Sequence, residues 1–253
     1  AQPALMASSM AVWRVLEKQC GADITNASYI AGHSLGEYSA LCAAGTFTLA
    51  DTARLLRIRG DAMQAAVPAG IGGMAAIIGL ETKKVEQACE SASDTSEICV
   101  LANYNAPGQI VISGHKAAVE RACELAKEAG AKRALPLNVS APFHSPLMQP
   151  AADAMREALE NVIVNDAAVP IFANVTADAV KDAGMIKALL VEQVTGSVKW
   201  SDSIHAMHDS GVTHTIEIGT GKVLSGLVRR TAKDISTSNV ENPEDIESFA
   251  KAA

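Results

Sequence analysis

Ser34 stands in the run Ala31-Gly32-His33-Ser34-Leu35-Gly36-Glu37-Tyr38-Ser39-Ala40. The Gly-x-Ser-x-Gly spacing follows an apolar stretch, Ala27 to Ile30, and opens a small-residue helix. That is the sequence form of a nucleophile elbow, a sharp strand-to-helix turn that lifts a serine hydroxyl clear of the backbone. Glycines are expected there because the turn is strained and because side chains beside the serine would block a substrate. A serine hydroxyl is a poor nucleophile without a base in hydrogen-bond reach, and the chain has six histidines. His205, His208 and His214 fall at polar helix and strand ends and read as surface or capping groups, as does His115 at a helix start. His33 abuts the serine, but the residue before an elbow nucleophile points the other way along the strand, into packing. His144 differs: it lies in Ser140-Ala141-Pro142-Phe143-His144-Ser145-Pro146, after a strand and just before a helix. Ligand sites of parallel α/β folds gather beyond the carboxyl ends of strands, so His144 is the best-placed base.

Arg59 carries the next signal. The segment Asp51 to Val67 has an apolar stripe at Leu55, Ile58, Ala62, Met63 and Ala66, with Arg54, Arg57, Asp61 and Gln64 on the opposite, solvated face. Arg59 falls on the apolar stripe beside Gly60. A guanidinium on a buried face needs an anionic partner to offset its desolvation. Either the side chain pairs with an internal carboxylate or snorkels out to solvent, or it grips a substrate carboxylate bidentately, which suits the planar fork of Arg better than Lys. Gly219-Thr220-Gly221-Lys222 resembles a phosphate loop but lacks the spacing of a P-loop or a dinucleotide fingerprint, and reads as a tight strand-to-helix turn near the site. Asn103 and Asn105, in a strand-end loop, either line a cleft or serve the turn.

The 253 residues are 49% hydrophobic and 4% aromatic, enough to bury one domain with an insertion or two domains. No apolar run reaches the roughly 18 residues of a membrane span, and no basic-then-apolar leader is read at the start. A net charge of −7 argues against a nucleic-acid surface. The five cysteines (Cys20, Cys42, Cys89, Cys99, Cys123) show no C-x-x-C pair and read as buried free thiols of a reducing, cytoplasmic setting.

Helices are expected from about Leu5 to Gly21, Leu35 to Ala44, Thr48 or Asp51 to Val67, Leu147 to Glu160, Lys181 to Val194, Ser201 to Asp209 and Lys222 to Thr231. Strands are expected at Val169 to Val175 and Thr213 to Ile218. Alternating elements of this kind predict a parallel sheet covered on both faces. Between them the order changes: strand Met74 to Leu80, helix Thr82 to Ser91, strands Ile98 to Asn103 and Gln109 to Ser113, helix His115 to Ala129, strand Ala134 to Val139. That βαββαβ order is the split pattern of a ferredoxin-like unit. Val85-Glu86-Gln87-Ala88-Cys89-Glu90 recurs as Val119-Glu120-Arg121-Ala122-Cys123-Glu124, a pseudo-symmetry that fits one such unit. The fold class is therefore α/β, interrupted by a small α+β domain at about 70–138. The tail after Asp234 is polar and carries no strong pattern before Ile246.

Taken together these segments resemble the malonyl-CoA:acyl carrier protein transacylase family, acyltransferases of fatty-acid biosynthesis. The resemblance rests on Ala31 to Leu41, Arg59-Gly60-Asp61-Ala62-Met63-Gln64, Asn103-Tyr104-Asn105-Ala106-Pro107-Gly108-Gln109, Gly130 to Leu137, Pro142-Phe143-His144-Ser145-Pro146-Leu147-Met148 and Glu217 to Leu224, collinear over nearly the whole chain. It implies an α/β-hydrolase-like parallel-sheet domain, residues 1–69 and 139–253, with an inserted ferredoxin-like small domain, residues 70–138. It also implies roles: Ser34 as nucleophile, His144 as general acid/base, Leu35 as an oxyanion N–H, Arg59 as the clamp for the malonyl carboxylate. Gln193 matches the position whose backbone carbonyl orients the histidine in place of a triad aspartate. His33, Met63, Asn103 and Phe143 join Arg59 as substrate-binding residues, with the bulk of Phe143 disfavouring a methylmalonyl unit. The substrates implied are malonyl-CoA and phosphopantetheinylated acyl carrier protein, with no bound cofactor, no metal and a monomer. Lys132, Arg133, Lys222, Arg229 and Arg230 would contribute a basic patch for the acidic carrier protein. Family members begin with a strand and a Gly-Gln-Gly-type loop that supplies a second oxyanion N–H. The chain opens with Ala1-Gln2-Pro3 directly in a helical pattern, so an N-terminally truncated member is expected. Two rival readings remain. One is an esterase or lipase built on the same Gly-x-Ser-x-Gly, against which stand Arg59 and the lack of an acidic triad partner at a plausible place. The other is a chain that only binds carrier protein or CoA.

Overall fold

A proline in the first turn starts a helix without loss, because its missing N–H has no partner there anyway. The chain accordingly enters α1 (Gln2–Cys20) with Pro3 and leaves it at Gly21, whose φ of 67° is the left-handed cap that ends a helix. A computed structural model describes residues 1–139 and 141–252; Ser140, of the run read around His144, and Ala253 lie outside the described residues.

After a short turn comes β1 (Ile30–Ala31), then α2 (Leu35–Ala43) and α3 (Leu49–Ala65), the last capped by Thr48, whose side chain accepts from Asp51 N–H. Next are β2 (Gly72–Ile78), α4 (Thr82–Ala92), β3 (Cys99–Ala106), β4 (Gln109–His115), α5 (Lys116–Glu128) and β5 (Arg133–Pro136). The chain continues through α6 (Gln149–Glu160), β6 (Ile171–Phe172), β7 (Ala179–Val180), α7 (Ala183–Thr195), α8 (Trp200–Asp209), β8 (His214–Ile218), α9 (Val223–Thr231), β9 (Ser236–Val240) and α10 (Pro243–Ala252). The fold is α/β with mixed sheets.

The middle segment forms one antiparallel sheet in the order β3-β4-β2-β5. Its apolar face carries Ile77, Leu101 and Ile112 against Val85 and Cys89 of α4 and Val119 and Cys123 of α5. The rest of the chain departs from the expected single parallel sheet. β1 pairs parallel with β6 and β6 antiparallel with β7, whereas β8 and β9 form a separate parallel pair. The run Val169 to Val175 yields only two paired residues: Pro170 has no N–H to donate, and its carbonyl accepts from Ile30 instead. β9 and α10 lie in the polar tail. β9 shows little burial apart from Val240, so its pairing rests on backbone hydrogen bonds rather than on an apolar pattern.

The largest core gathers Met6 and Leu16 of α1, Tyr38 and Leu41 of α2, Leu55 and Met63 of α3, Met155 of α6 and Leu190 of α7. The buried face of α3 is Thr52, Leu55, Leu56, Arg59 and Met63, whereas Ile58 is 41% exposed. At about 100° per residue, Ile58 lies about 120° from the centre of that face. The expected stripe was rotated, but Arg59 is near its middle either way.

Candidate active site

Only glycine fits at position 32. A Cβ there would stand 2.0 Å from the backbone C and O of Gly36 and 2.5 Å from Glu37 N, so the strand can turn into α2 this tightly only without a side chain. A Cβ on Gly36 meets nothing within 4 Å; that glycine has no such packing role. Ser34, between them, takes φ 53° and ψ −108°, a conformation few L-residues adopt. Its amide donates to Asn174 Oδ1 at 2.7 Å, and its carbonyl accepts from Gln193 Nε2 at 2.9 Å. Leu35 is the first residue of α2, where the helix itself has no use for the amide, so its N–H is available at the positive end of the helix.

His144 is the second non-glycine residue at positive φ, 56°, and its side chain is buried. Its Nε2 lies 2.8 Å from Ser34 Oγ. Its Nδ1 faces the carbonyls of Gln193 at 2.9 Å and Gly196 at 3.2 Å. Two acceptors on one side require the ring proton on Nδ1, which leaves Nε2 to accept from the serine hydroxyl. Burial, and then the Arg59 charge, push its pKa down to about 3. The imidazole is therefore neutral at pH 7, as a general base must be.

Arg59 is 1% exposed. Its fork donates to Gln2 Oε1 at 2.7 Å, to Ser34 Oγ at 3.0 Å and to Gln193 Oε1 at 2.9 Å, all uncharged oxygens. Its guanidinium carbon sits 5.7 Å from the Tyr38 ring centre. It neither snorkels nor pairs directly with a carboxylate: an internal carboxylate, Glu37, stands one amide away, where Gln193 Nε2 donates to Glu37 Oε2 at 2.7 Å. That oxygen also accepts from Asn174 N–H at 3.2 Å. Burial holds the Glu37 pKa up, at about 7, against the pull of Gln193, Asn174 and Arg59.

The structure thus brings Ser34, His144, Arg59, Leu35 and Gln193 together. Met63 is buried one turn beyond Arg59, its sulfur 3.8 Å from Gln2 Nε2. Phe143, half-buried beside His144, packs against Met74, Ala102 and Val111. His33 points away from the hydroxyl as expected: its Nε2 is 2.8 Å from Asn105 Oδ1, and its ring centre is 5.5 Å from that of Trp200. Asn103 is buried in β3, bridged by backbone to Val198, so it is Asn105 that reaches the residue beside the nucleophile. His205, His208 and His214 are exposed. The Gly219 to Lys222 turn offers no anion site at the start of α9, because the Glu217 carboxylate already accepts the N–H groups of Leu224 and Ser225.

Three residues of the network were not singled out in the sequence. Gln2 sits at the start of a helix with no pattern to mark it. Asn174 falls inside the expected strand Val169 to Val175, where nothing in the apolar run marks its amide as part of a site. Glu37 did carry a signal: three residues after Ser34, it lies on the same face of α2.

Among the described residues no helix is long and apolar enough to cross a membrane. The Acyl transferase domain model matches residues 1–249. A malonyl CoA-acyl carrier protein transacylase of Bacillus subtilis is 49% identical over 247 residues, covering 98% of this chain and 77% of the relative. The protein of that name from Escherichia coli K12 is 46% identical over 242 residues, with 96% and 77% covered. Among solved structures, an acyl-carrier-protein-S-malonyltransferase from Bartonella henselae superposes with TM-score 0.95 at 56% identity, covering 99% of this chain and 80% of that one. A type II PKS acyl-carrier protein in complex with its malonyl-transacylase contains a chain matched at TM-score 0.95 and 41% identity, with 100% and 80% covered. A match of this length, on a backbone that seats a serine between an imidazole and a guanidinium, places the chain in the acyl transferase domain family.

Proposed function

We propose that the chain transfers the malonyl group of malonyl-CoA to the phosphopantetheine thiol of acyl carrier protein, by way of a malonyl ester on Ser34. One observation carries this reading. Ser34 Oγ is hydrogen-bonded at once to His144 Nε2 at 2.8 Å and to Arg59 at 3.0 Å. A guanidinium one hydrogen bond from the nucleophile reaches an acid group close to the carbonyl under attack, and malonyl has one a single methylene away. Its charge-assisted, forked bonds favour a carboxylated acyl group over a plain one.

In the first half-reaction His144 Nε2 takes the Ser34 proton as Oγ attacks the thioester carbonyl. The Leu35 N–H, at the start of α2, meets the developing oxyanion. The carbonyls of Gln193 and Gly196 hold the proton on Nδ1 and face the imidazolium that forms. The tetrahedral intermediate collapses with loss of CoA thiolate, which takes the proton back from His144. In the second half the carrier thiol gives its proton to His144 and attacks the ester, and Ser34 Oγ leaves as His144 returns that proton to it, so the kinetics are ping-pong. We further infer that Met63, Asn103, His33 and Phe143 shape the acyl pocket, Phe143 by excluding a branched methylmalonyl unit. We also infer that residues 1–69 and 139–253 form an α/β-hydrolase-like domain around a ferredoxin-like insert at 70–138. The reaction needs no cofactor or metal, and the protein acts as a cytoplasmic monomer. Docking of the acidic carrier is favoured by a basic cluster. Arg133 of β5 lies across β2 from Gln109 of β4, and Arg230 hydrogen-bonds the Gln109 side chain.

Intact-mass measurement after mixing with malonyl-CoA tests the reading. A malonyl adduct is expected on the wild type and absent from Ser34→Ala. Loading by acetyl-CoA as efficient as by malonyl-CoA would remove the role given to Arg59.

A further inference from the structure

Glu37 is a buried carboxylate that the transfer chemistry does not use. It is 2% exposed and lies in the first turn of α2, where the helix dipole favours an anion. It faces the nucleophile from behind through two residues. Gln193 takes Glu37 Oε2 with its Nε2 and gives its Oε1 to Arg59. Asn174 donates its backbone N–H to the same oxygen and accepts the Ser34 amide on its side chain. A carboxylate therefore stands behind Arg59 with one amide between them, while the guanidinium itself touches only neutral oxygens.

This arrangement compensates the buried cation while its fork rests on neutral oxygens, which an incoming carboxylate can displace. A direct ion pair would neutralise Arg59 too, but would hold the donors that an acyl carboxylate needs. The same arrangement creates a conflict on binding. When a substrate carboxylate docks on Arg59, two anions share one guanidinium in a site of low dielectric, where like charges repel strongly. We propose that Glu37 is the resident counter-charge of the empty acyl site, and that it gives up its charge, by taking one proton from solvent, when the acyl carboxylate docks on Arg59. This rests on the malonyl reading above. The net charge around Arg59 is then the same in the empty and loaded states.

The geometry allows the change without rearrangement. Both hydrogen bonds to Glu37 arrive at Oε2, so a proton on Oε1 leaves Oε2 as a carbonyl acceptor with the same two donors. The neutral form is accessible, since burial already holds the group near pH 7 in the empty site. Other groups around it do not titrate in that range. Arg59 stays charged. Burial pushes the Tyr38 hydroxyl further up and the His144 and His33 rings down. Asn174 and Gln193 are neutral, and the buried face of α1 is apolar (Met6, Met10, Trp13).

The test compares kcat/KM for Ser34 loading by malonyl-CoA with that by acetyl-CoA, from pH 6 to 9. The ratio cancels the titrations that both donors share, those of Ser34 and His144 in the free enzyme and of the CoA phosphates. For the wild type it is expected to fall as pH rises through about 7, by about tenfold, a coupling of ordinary size. Glu37→Gln, which copies the neutral form, is expected to hold the acid-side ratio at every pH. A wild-type ratio flat with pH, or a Glu37→Gln ratio that still falls, overturns the proposal. Should Glu37→Gln fail to fold, calorimetry decides. Malonyl-CoA binding to Ser34→Ala at pH 8, in two buffers of different ionisation enthalpy, should take up about 0.4 proton more than acetyl-CoA does, the uptake that a tenfold coupling gives a group titrating at about 7 in the empty site. Equal uptake overturns the proposal. Failure of the wild type to acquire any malonyl adduct would instead sink the transferase reading, so the two failures are distinct.

Discussion

The Nδ1 of His144 lies 2.9 Å from the main-chain carbonyl of Gln193, where a serine triad would place a carboxylate. A carbonyl dipole fixes the tautomer as an aspartate would, but stabilises an imidazolium less. With Arg59 nearby, the ring in the empty site is held strongly neutral. On the proposed reading, an acyl carboxylate docked on Arg59 would offset that field, so the anion that Arg59 selects would also strengthen the base that attacks for it.

Because His144 stays neutral down to about pH 3, transfer is expected to lack the acid limb near pH 6.5 that an unperturbed histidine gives. Malonyl loading of Ser34 should show no fall between pH 7 and 5.5. Stability carries the same signature. The unfolded chain takes up the His144 proton below about 6.5 and the folded chain does not, so this contribution is complete above pH 6.5 and is lost as pH falls toward 3. Glu37, raised to about 7, acts in the opposite sense and favours the folded state as pH falls from 7 to its unfolded value. The difference in Tm between wild type and His144→Gln cancels the Glu37 effect and should shift against the wild type below pH 6. A constant difference would show that His144 is not held neutral.

Ser34 spends backbone strain on its position. At φ 53° and ψ −108° a glycine is at ease and an alanine is not. Ser34→Gly is therefore expected to be more stable than Ser34→Ala by about 1 kcal/mol, despite the entropy glycine gives the unfolded chain. Both lose the adduct. Chemical denaturation of the two inactive variants measures the difference free of any catalytic effect; equal midpoints would mean the elbow is relaxed.

The two elbow glycines should respond in opposite ways. Gly32→Ala forces a Cβ to within 2.0 Å of the Gly36 backbone, which cannot yield as a side-chain tip can. A loss of about 3 kcal/mol or more is expected, together with loss of activity as Ser34 shifts. Gly36→Ala meets nothing within 4 Å and gains helix propensity at the second position of α2, so its stability should be equal or slightly higher. Thermal melts of the pair separate the readings, and a stable Gly32→Ala would show that the turn is looser than described.

Much of this was legible in the chain because catalytic spacing and helix periodicity are local. The elbow, the His144 loop and the buried side of α3 each lie within about a dozen residues. The antiparallel sheet was legible for the same reason: its strands are short, largely buried apolar runs, and turns mark their ends. What stayed hidden depends on contacts between distant segments. Gln193 was singled out for its carbonyl, yet its side chain is what links Arg59, Ser34 and Glu37, and nothing in Val191-Glu192-Gln193-Val194 distinguishes one amide from another. The β8–β9 pair was missed at β9 because a strand with mostly accessible side chains leaves no apolar alternation to read.

Arg59→Lys is the sharpest test of the clamp. The arginine fork presently donates to Gln2, Ser34 and Gln193 from two nitrogens, and it is planar, so it can keep the Gln193 bond while turning other N–H groups to a carboxylate. A lysine keeps the charge but concentrates it on one nitrogen with a larger desolvation cost, and it cannot span Gln193 and a bidentate acid together. If charge alone selected malonyl, the substitution would be nearly silent. If the fork does, kcat/KM for malonyl-CoA should drop about 10²-fold, from loss of one or two charge-assisted bonds. Acetyl-CoA, which has no carboxylate to hold, should change only a few-fold, so the preference collapses through the malonyl arm. Steady-state transfer with both donors, alongside a melt to confirm folding, separates the two cases; a preference within threefold of wild type would mean that the guanidinium geometry is not what selects the acyl group.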